Sequence, residues 1–192
     1  MKKIGIILAA ILVFGLMSAC STPPREEMEK AHDAVIRAEN DADAVIYASN
    51  VLVRARDSLA RMQNEADAKR YDAAKAHAAE AVSQAERAIA EGKMGAARAK
   101  SDAENLISSL SGPLAETASS LDAAWKTEKV QLDFASLTAD MEAARRTYND
   151  AQQNLNNERY RDAISQGQTV RSLLAGINSN LTQGVQAVAR KQ

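Results

Sequence analysis

Small and apolar residues recur along the middle of this 192-residue chain at alternating intervals of three and four positions. The stripe begins at Tyr71 and continues through Ala74, Ala78, Ala81, Ala85, Ala88, Gly92, Gly95, Ala99, Leu106 and Leu110. A mean spacing near 3.5 residues places these side chains on one side of an α-helix. Because alanine and glycine have small side chains, a neighbouring helix can approach this stripe closely. The pattern therefore predicts a closely packed pair of helices.

A second stripe with larger side chains follows at Tyr160, Ala163, Gly167, Val170, Leu174, Ile177, Leu181, Val185 and Val188. A shift of 89 positions superimposes the two halves of the chain: Arg70-Tyr71 then matches Arg159-Tyr160, and Ala74 matches Ala163. Such self-similarity is typical of helical repeats. The polar stretches 64–69 and 154–158 are interpreted as turns between helices. We therefore predict an internal duplication of antiparallel helical hairpins.

The periodic segments predict helices at 24–40, 49–65, 69–110, 113–129, 132–157 and 159–189. Ser111-Gly112-Pro113 is the strongest interruption, because proline fits the first turn of a helix better than its interior. This motif is taken as the boundary between an N-terminal helical half, 25–111, and a C-terminal helical half, 112–192. The predicted fold class is all-α, an elongated bundle of helical hairpins with coiled-coil spacing.

Composition narrows the class further. The chain has 39 alanines, only 8 glycines and 3 prolines, which argues against collagen-like, linker-like and β-rich chains. Charges of both signs are interleaved and the formal net charge is -1, so no basic surface for nucleic acid is indicated.

The first residues have the pattern of an export signal. Lys2 and Lys3 precede an uncharged apolar run at 4–16, and the small residues Ser18-Ala19 follow it. Thirteen residues of helix span about 20 Å, which is too short for the roughly 30 Å core of a bilayer. The pattern predicts a signal peptide over residues 1–19.

Leu16-Met17-Ser18-Ala19-Cys20 resembles the lipobox of bacterial lipoproteins. The resemblance implies cleavage before Cys20, attachment of diacylglycerol to its thiol and acylation of the new amine, typically with palmitate. Residues 20–24 would then form a lipidated tether, and Ser21 implies sorting to the outer membrane, facing the periplasm. The alternative is that Cys20, the only cysteine, is incidental to an ordinary signal peptide.

Two further resemblances concern the helical region. Tyr71-x-x-Ala74-x-x-x-Ala78 and Tyr160-x-x-Ala163-x-x-x-Gly167 resemble the second helix of a tetratricopeptide repeat. Residues 23–100 resemble an uncharacterised helical domain of unknown function found in Gram-negative envelope lipoproteins. The residues that carry it are Pro24-x-x-Glu27-Met28, Tyr47-Ala48, Leu52-x-x-Ala55-Arg56-Asp57-x-Leu59 and the alanine stripe after Tyr71. This resemblance implies a location and a fold, and no activity.

The sequence contains few residues that could form a catalytic or metal-binding site. His32 and His77 have no second histidine at a ligand spacing, and both are interpreted as solvated helix residues. Asn40-Asp41 is interpreted as a helix break with capping residues, because the spacing of a calcium loop is not met. Trp125, the only tryptophan, is predicted to lie in the core with Leu121 and Leu132. We expect no enzyme activity, no cofactor and no metal site.

The last helix has an unusual polar surface. Residues 163–192 contain no acidic residue, and the polar positions are occupied mainly by Gln, Ser, Asn and Thr. Exposed helix positions usually carry Glu and Lys. We hypothesise that Gln166, Thr169, Asn178, Gln183 and Gln186 contact a partner subunit or the cell wall. An ordinary solvated surface is the alternative.

The sequence favours a lipid-anchored, non-enzymatic helical scaffold or adaptor on the periplasmic side of the outer membrane. Its expected partner is another envelope protein or peptidoglycan, and a homo-oligomer is left open. One alternative is a structural lipoprotein that bridges the outer membrane and peptidoglycan. Another is a small-ligand binder or enzyme subunit with a pocket between the hairpins.

Overall fold

The computed structural model describes residues 22–127 and 130–189, and all regular secondary structure in these residues is α-helical. The predicted all-α class is confirmed. The predicted signal peptide and Cys20 lie outside the described residues. Within the described ranges the helices are α1 Arg25–Asn40, α2 Ala42–Tyr47, α3 Ser49–Asp67, α4 Tyr71–Trp125, α5 Phe134–Asn156 and α6 Tyr160–Ala189.

The chain divides into two compact units, the first ending at Gly95 and the second beginning at Ala96. The first contains α1, α2, α3 and the beginning of α4. The second contains the rest of α4 with α5 and α6. The predicted helix break at Ser111-Gly112-Pro113 is wrong, because α4 continues through Pro113. The division between compact units therefore falls earlier in the chain than the predicted boundary.

Two local features explain how α4 accommodates Pro113. Proline clashes with the Cβ of a preceding helical residue, and Gly112 has no Cβ. Proline also lacks the N–H that would bond to the carbonyl of Ser109, but Gly112, Pro113 and Ser109 are all on the exposed side of the helix. Water can therefore hydrate the carbonyl that loses its partner.

The predicted small-residue stripe is the core of the first unit. Ala74, Ala81, Ala85 and Ala88 are completely buried. Ala81, Ala85 and Ala88 pack in a cluster with alanines and valines of α1, α2 and α3. The stripe continues into the second unit through Ala103, Ile107 and Leu110, whereas the predicted member Leu106 is only half-buried.

The helices approach most closely where α2 crosses α4. A Cβ added to Gly92 would lie only 2.5 Å from the backbone nitrogen of Ala44, so only glycine fits there without rearrangement. α2 is oriented by Asp41, whose carboxylate Oδ1 accepts a hydrogen bond from the Ala44 N–H at 2.8 Å. The predicted capping role of Asn40-Asp41 is thus confirmed at Asp41.

The two hairpin turns have the same geometry. In the first turn Lys69 has φ 60°, its N–H donates to the Ala66 carbonyl at 2.9 Å, and the Arg70 N–H donates to the Glu65 carbonyl at 2.8 Å. This is a Schellman motif, in which a left-handed residue ends the helix.

The second turn repeats this arrangement 89 positions later. Glu158 has φ 60°, its N–H donates to the Leu155 carbonyl at 3.1 Å, and the Arg159 N–H donates to the Asn154 carbonyl at 2.9 Å. Identical turns at the predicted offset support an internal duplication of the hairpin.

The duplicated units differ in the register of their parallel helices. In the first unit, α1 and α2 run parallel to α4, and contacting residues differ by 48 in number; in the second, α4 runs parallel to α6 and the difference is 61. The contacting pairs are Glu27 with Lys75, Ala44 with Gly92 and Tyr47 with Gly95, then Leu106 with Gly167 and Thr117 with Asn178.

These two offsets differ by 13 residues. The second unit therefore has thirteen more residues than the first between its parallel helix and its antiparallel helix. These additional residues lie between Thr117 and Leu137. At the 89-residue offset, Leu137 corresponds to the buried Ala48 of the first unit. We call residues 117–127 and 130–137 the extension.

The left-handed turns generate a first prediction. Glycine adopts φ near 60° without the steric cost of a Cβ, so Lys69→Gly and Glu158→Gly should each stabilise the protein by about 1 kcal/mol. Urea unfolding followed by circular dichroism would measure this. Lys69→Ala is the control, because it removes the same side chain and keeps the Cβ. Equal stability of the glycine and alanine variants would contradict the prediction.

The close approach of α2 to α4 at Gly92 leads to a second prediction. Gly92→Ala forces a Cβ into the backbone of α2 and should destabilise the first unit by about 1–3 kcal/mol. Gly176→Ala is the control: nothing lies within 4 Å of its added Cβ, and alanine favours a helix interior by about 1 kcal/mol. Thermal unfolding should therefore shift in opposite directions for the two variants, and a shift in the same direction would refute the proposed contact.

Candidate functional site

The two histidines lie on different helices of the first unit. His32 is exposed on α1. His77 is partly buried on α4, with its Nδ1 at 3.3 Å from the Glu80 Oε2. Within residues 22–127 and 130–189, no three His, Cys, Asp or Glu side chains are arranged to hold a metal ion.

A groove of about 760 Å³ lies in the second unit between the C-terminal turns of α4 and α6. We call it the uncharged groove, because none of its lining residues within the ranges 22–127 and 130–189 is Asp, Glu, Lys or Arg. The lining residues are Ser120, Ala123, Ala124, Thr127, Val130, Asn178, Leu181, Thr182, Val185 and Gln186. Half of them belong to the extension.

The groove exists because the α6 stripe is not covered at its C-terminal end. The predicted stripe is buried from Ala163 to Leu181, which confirms that part of the prediction. Val185, its next member, is 54% exposed. The facing positions on α4 are Ser120, Ala123 and other small residues, which are too short to fill the space. An apolar surface therefore remains open to solvent there.

The five predicted partner residues do not form one surface. Asn178 and Gln186 both line the uncharged groove. Thr169 and Gln183 are exposed and bond within α6, to Ser165 and Ser179 respectively. Gln166 is half-buried elsewhere on the helix. The prediction came from the composition of α6, and at 3.6 residues per turn these positions are spread around the helix.

Asn178 also connects the two walls of the groove. Its Nδ2 donates a hydrogen bond of 3.0 Å to the Thr117 Oγ1, and Thr117 is 1% exposed. A buried hydroxyl without a partner is costly, so this bond fixes the separation of α4 and α6 where the extension begins.

The prediction that Trp125 lies in the core is wrong. It is 64% exposed, whereas Leu121 one turn earlier is buried and Leu132 packs against Gly184. The physical reason is that α4 ends at Trp125, so this side chain lies at the edge of the cluster that buries Leu121 and Ala124. Its ring contacts Phe134 edge-to-face, with centroids 5.0 Å apart.

Trp125 belongs to a second cleft of about 400 Å³, between α4 and α5, which we call the Trp125 cleft. The residues around it are Ala118, Leu121, Asp122, Trp125, Thr138, Met141, Glu142 and Arg145. Sequence reasoning missed this site. The available signal was an aromatic residue just before a polar turn, which marks the end of a helix better than its core.

The hairpin turns differ in their electrostatics. The Arg70 guanidinium donates two hydrogen bonds to the Glu65 carboxylate, which lowers the pKa of Glu65. A lowered carboxyl pKa stabilises the fold above the pKa of the unfolded chain, and that contribution is lost as the pH falls through the folded pKa.

At the second turn the corresponding residue is Asn154, whose Nδ2 donates to the Gln166 Oε1 at 2.6 Å. An amide pair does not titrate. This contribution to acid sensitivity therefore belongs to the first turn, and Gln166 has a structural partner within its own unit.

Residues 26–106 match the family model described as a domain of unknown function (DUF4398). The match covers the helices of the first unit and extends into α4 beyond Ala96. The expectation of a helical domain of unknown function over residues 23–100 is thereby confirmed. No curated protein and no solved structure matches this chain.

The DUF4398 domain includes neither the uncharged groove nor the Trp125 cleft, since both lie after residue 106. Among the helices of residues 22–127 and 130–189, none has the length and hydropathy of a membrane span.

The bond between Thr117 and Asn178 generates a third prediction. Thr117→Val keeps the shape of the side chain and removes the acceptor, so it should destabilise the protein by about 1 kcal/mol in urea unfolding. Thr169→Val is the matched control, because the Thr169 hydroxyl is exposed and bonds only within its own helix, to the Ser165 carbonyl. A Thr117→Val variant as stable as the control would contradict a bridging role for Asn178.

Proposed function

We propose that this chain is a non-enzymatic helical adaptor of the bacterial cell envelope. In this proposal a lipid on Cys20 holds the protein at the periplasmic face of the outer membrane, and the uncharged groove binds a helix of another envelope protein. The observation that carries the proposal is the open, largely apolar groove in the second unit, whose lining residues in the described part of the chain carry no charge.

The groove has the properties that a helix-binding site needs. An amphipathic helix binds by placing an apolar stripe in a groove between helices. Here Leu181 and Val185 offer apolar contact, and Ser120 and Ala123 allow close approach of a backbone. A charged partner surface would lose its hydration without gaining an ion pair. The partner stripe is therefore expected to be uncharged.

The anchor is supported by the sequence around Cys20. Each buried methylene contributes about 0.8 kcal/mol, so one acyl chain binds a membrane marginally and two or three bind it stably. A single cysteine directly after Leu16-Met17-Ser18-Ala19 fits that modification. The DUF4398 domain would then stand nearest the membrane in sequence.

The repeated hairpin supports a scaffold role. Two equivalent turns, each followed by a helix with small residues three and seven positions after a tyrosine, fit tetratricopeptide-like hairpins. Helical repeats typically act by presenting extended binding surfaces.

A site-specific cross-linking experiment tests the proposal and gives our fourth prediction. A photo-reactive amino acid at position 185 of the full-length protein should cross-link in intact cells to one envelope protein, through an uncharged helical stripe that mass spectrometry can map. The same amino acid at position 183, which is exposed outside the groove, should not give this product.

Three variants complete that experiment. Val185→Glu should abolish a cross-link from position 182, because it places a charge in an apolar interface, whereas Gln183→Glu should preserve it. Cys20→Ala should move the protein from the membrane pellet to the soluble fraction. Equal cross-linking from positions 185 and 183 would refute the adaptor groove, and unchanged membrane association of the cysteine variant would refute the lipid anchor.

A further inference from the structure

The Trp125 cleft combines an apolar floor with a polar rim. Leu121 and Met141 are buried beneath it, and Trp125 stands at the end of α4. The rim carries the charged side chains Asp122 and Glu142 from opposite walls, with Arg145 one turn along α5. Ligand sites typically have a volume of about 300–1,000 Å³ with a few convergent polar groups, and this cleft has both features.

The indole of Trp125 is largely open to solvent. It is 64% exposed, and among the described residues its aromatic neighbour is Phe134, at an interplanar angle of 74°. In an edge-to-face pair only one face of one ring is covered, so this contact leaves at least one indole face free to stack on a ligand. The contact also restrains the indole before any ligand arrives.

Both hydrogen-bond acceptors and a hydrogen-bond donor lie around the Trp125 ring. Asp122 accepts a hydrogen bond from Lys126 at 2.6 Å, and Glu142 forms an ion pair with Arg146 at 3.6 Å. Each of these contacts lies within one helix, and both carboxylates remain mostly exposed. Their remaining lone pairs can accept further hydrogen bonds. Arg145 is exposed and forms no ion pair with any residue of the described ranges, so its guanidinium is a free donor.

These properties select the chemistry of the ligand. A purely apolar helix would bury two carboxylates and leave their remaining lone pairs without hydrogen bonds, which is costly. A phosphate or other anion would face both carboxylates. A sugar ring has an apolar C–H face and hydroxyl groups around its edge, and these hydroxyls both donate and accept. The negative face of an aromatic ring also attracts the positively polarised C–H groups.

We propose that the Trp125 cleft is a carbohydrate-binding site. One sugar ring stacks on the open face of Trp125 above Leu121 and Met141. Its hydroxyls donate to Asp122 and Glu142 and accept from Arg145. This site is separate from the uncharged groove, and the inference stands whether or not the protein is an adaptor.

The fluorescence of Trp125 tests the proposal directly, because it is the only tryptophan in the chain. The full-length protein is titrated with chitotetraose, a chain of N-acetylglucosamine, and with cellotetraose, its glucose counterpart. Saturable change in emission with a Kd of about 1 mM or tighter is the expected result for one or both. Response to chitotetraose alone would assign the ligand to N-acetylated glycans.

Variants separate specific binding from a general effect on fluorescence. Arg145→Gln and Glu142→Gln should each weaken binding about tenfold, as expected for the loss of one hydrogen bond to a charged group. Arg171→Gln is the control, because Arg171 is exposed on α6 and outside the cleft. Trp125→Ala should abolish binding in calorimetry, while circular dichroism shows the helices intact.

The proposal is overturned by either of two results. One is the absence of a saturable response to both saccharides in titrations to about 10 mM, beyond which binding would be weaker than about 3 kcal/mol. The other is a response that Arg145→Gln and Glu142→Gln leave as strong as Arg171→Gln does. Binding that survives in Trp125→Phe and disappears in Trp125→Ala would support stacking, because phenylalanine retains an aromatic face.

Discussion

The first unit depends on how closely two backbones approach each other. At Gly92 the α2 backbone lies where the Cβ of any other residue would stand. Completely buried alanines continue this contact along α4. Each alanine buries little area, so the stability comes from many short-range dispersion contacts, which require dense packing. A core of this kind fixes the register of its helices, because shifting α4 by one residue would place the Cβ of Glu91 or Lys93 against the backbone at Ala44.

The second unit has the same turn and the same helix order but a different core. Val170, Leu174 and Ile177 replace alanines there, and larger side chains hold the helices by filling space. The thirteen additional residues lie between Thr117 and Leu137, where α4 ends and the chain continues to α5. The uncharged groove and the Trp125 cleft both include residues of this extension. The proposed binding surfaces therefore lie where the second unit departs from the packing of the first.

The sequence predicted those features that depend on local periodicity. The stripe from Ala74 to Ala99, the turns at the 89-residue offset and most helix bounds follow from spacing and polar breaks. It could not predict that α4 continues through Pro113, because this depends on the missing Cβ of Gly112 and on which side of the helix faces water. The extension was also hidden, since the 89-residue alignment holds for the antiparallel hairpin and not for the helix before it.

The candidate sites were less predictable than the fold, for a related reason. Apolar periodicity places Trp125 and Val185 on stripes whose earlier members are buried. Whether the last member of a stripe is covered depends on where the neighbouring helix ends, and that is a tertiary property. The uncharged composition of α6 did identify Asn178 and Gln186 at the groove. It could not separate them from Gln166, which has a partner on α5.

The missing hydrogen bond at Pro113 has a mechanical consequence for the part of α4 that belongs to the second unit. A regular helix resists bending because backbone hydrogen bonds connect its consecutive turns. The bond to the Ser109 carbonyl is missing here, because Pro113 has no N–H. The Ser109 and Ser111 hydroxyls are bonded to the carbonyls of Leu106 and Ser108, so they do not replace it. We therefore expect α4 to bend more easily at this point, just before the extension, than along the rest of its length.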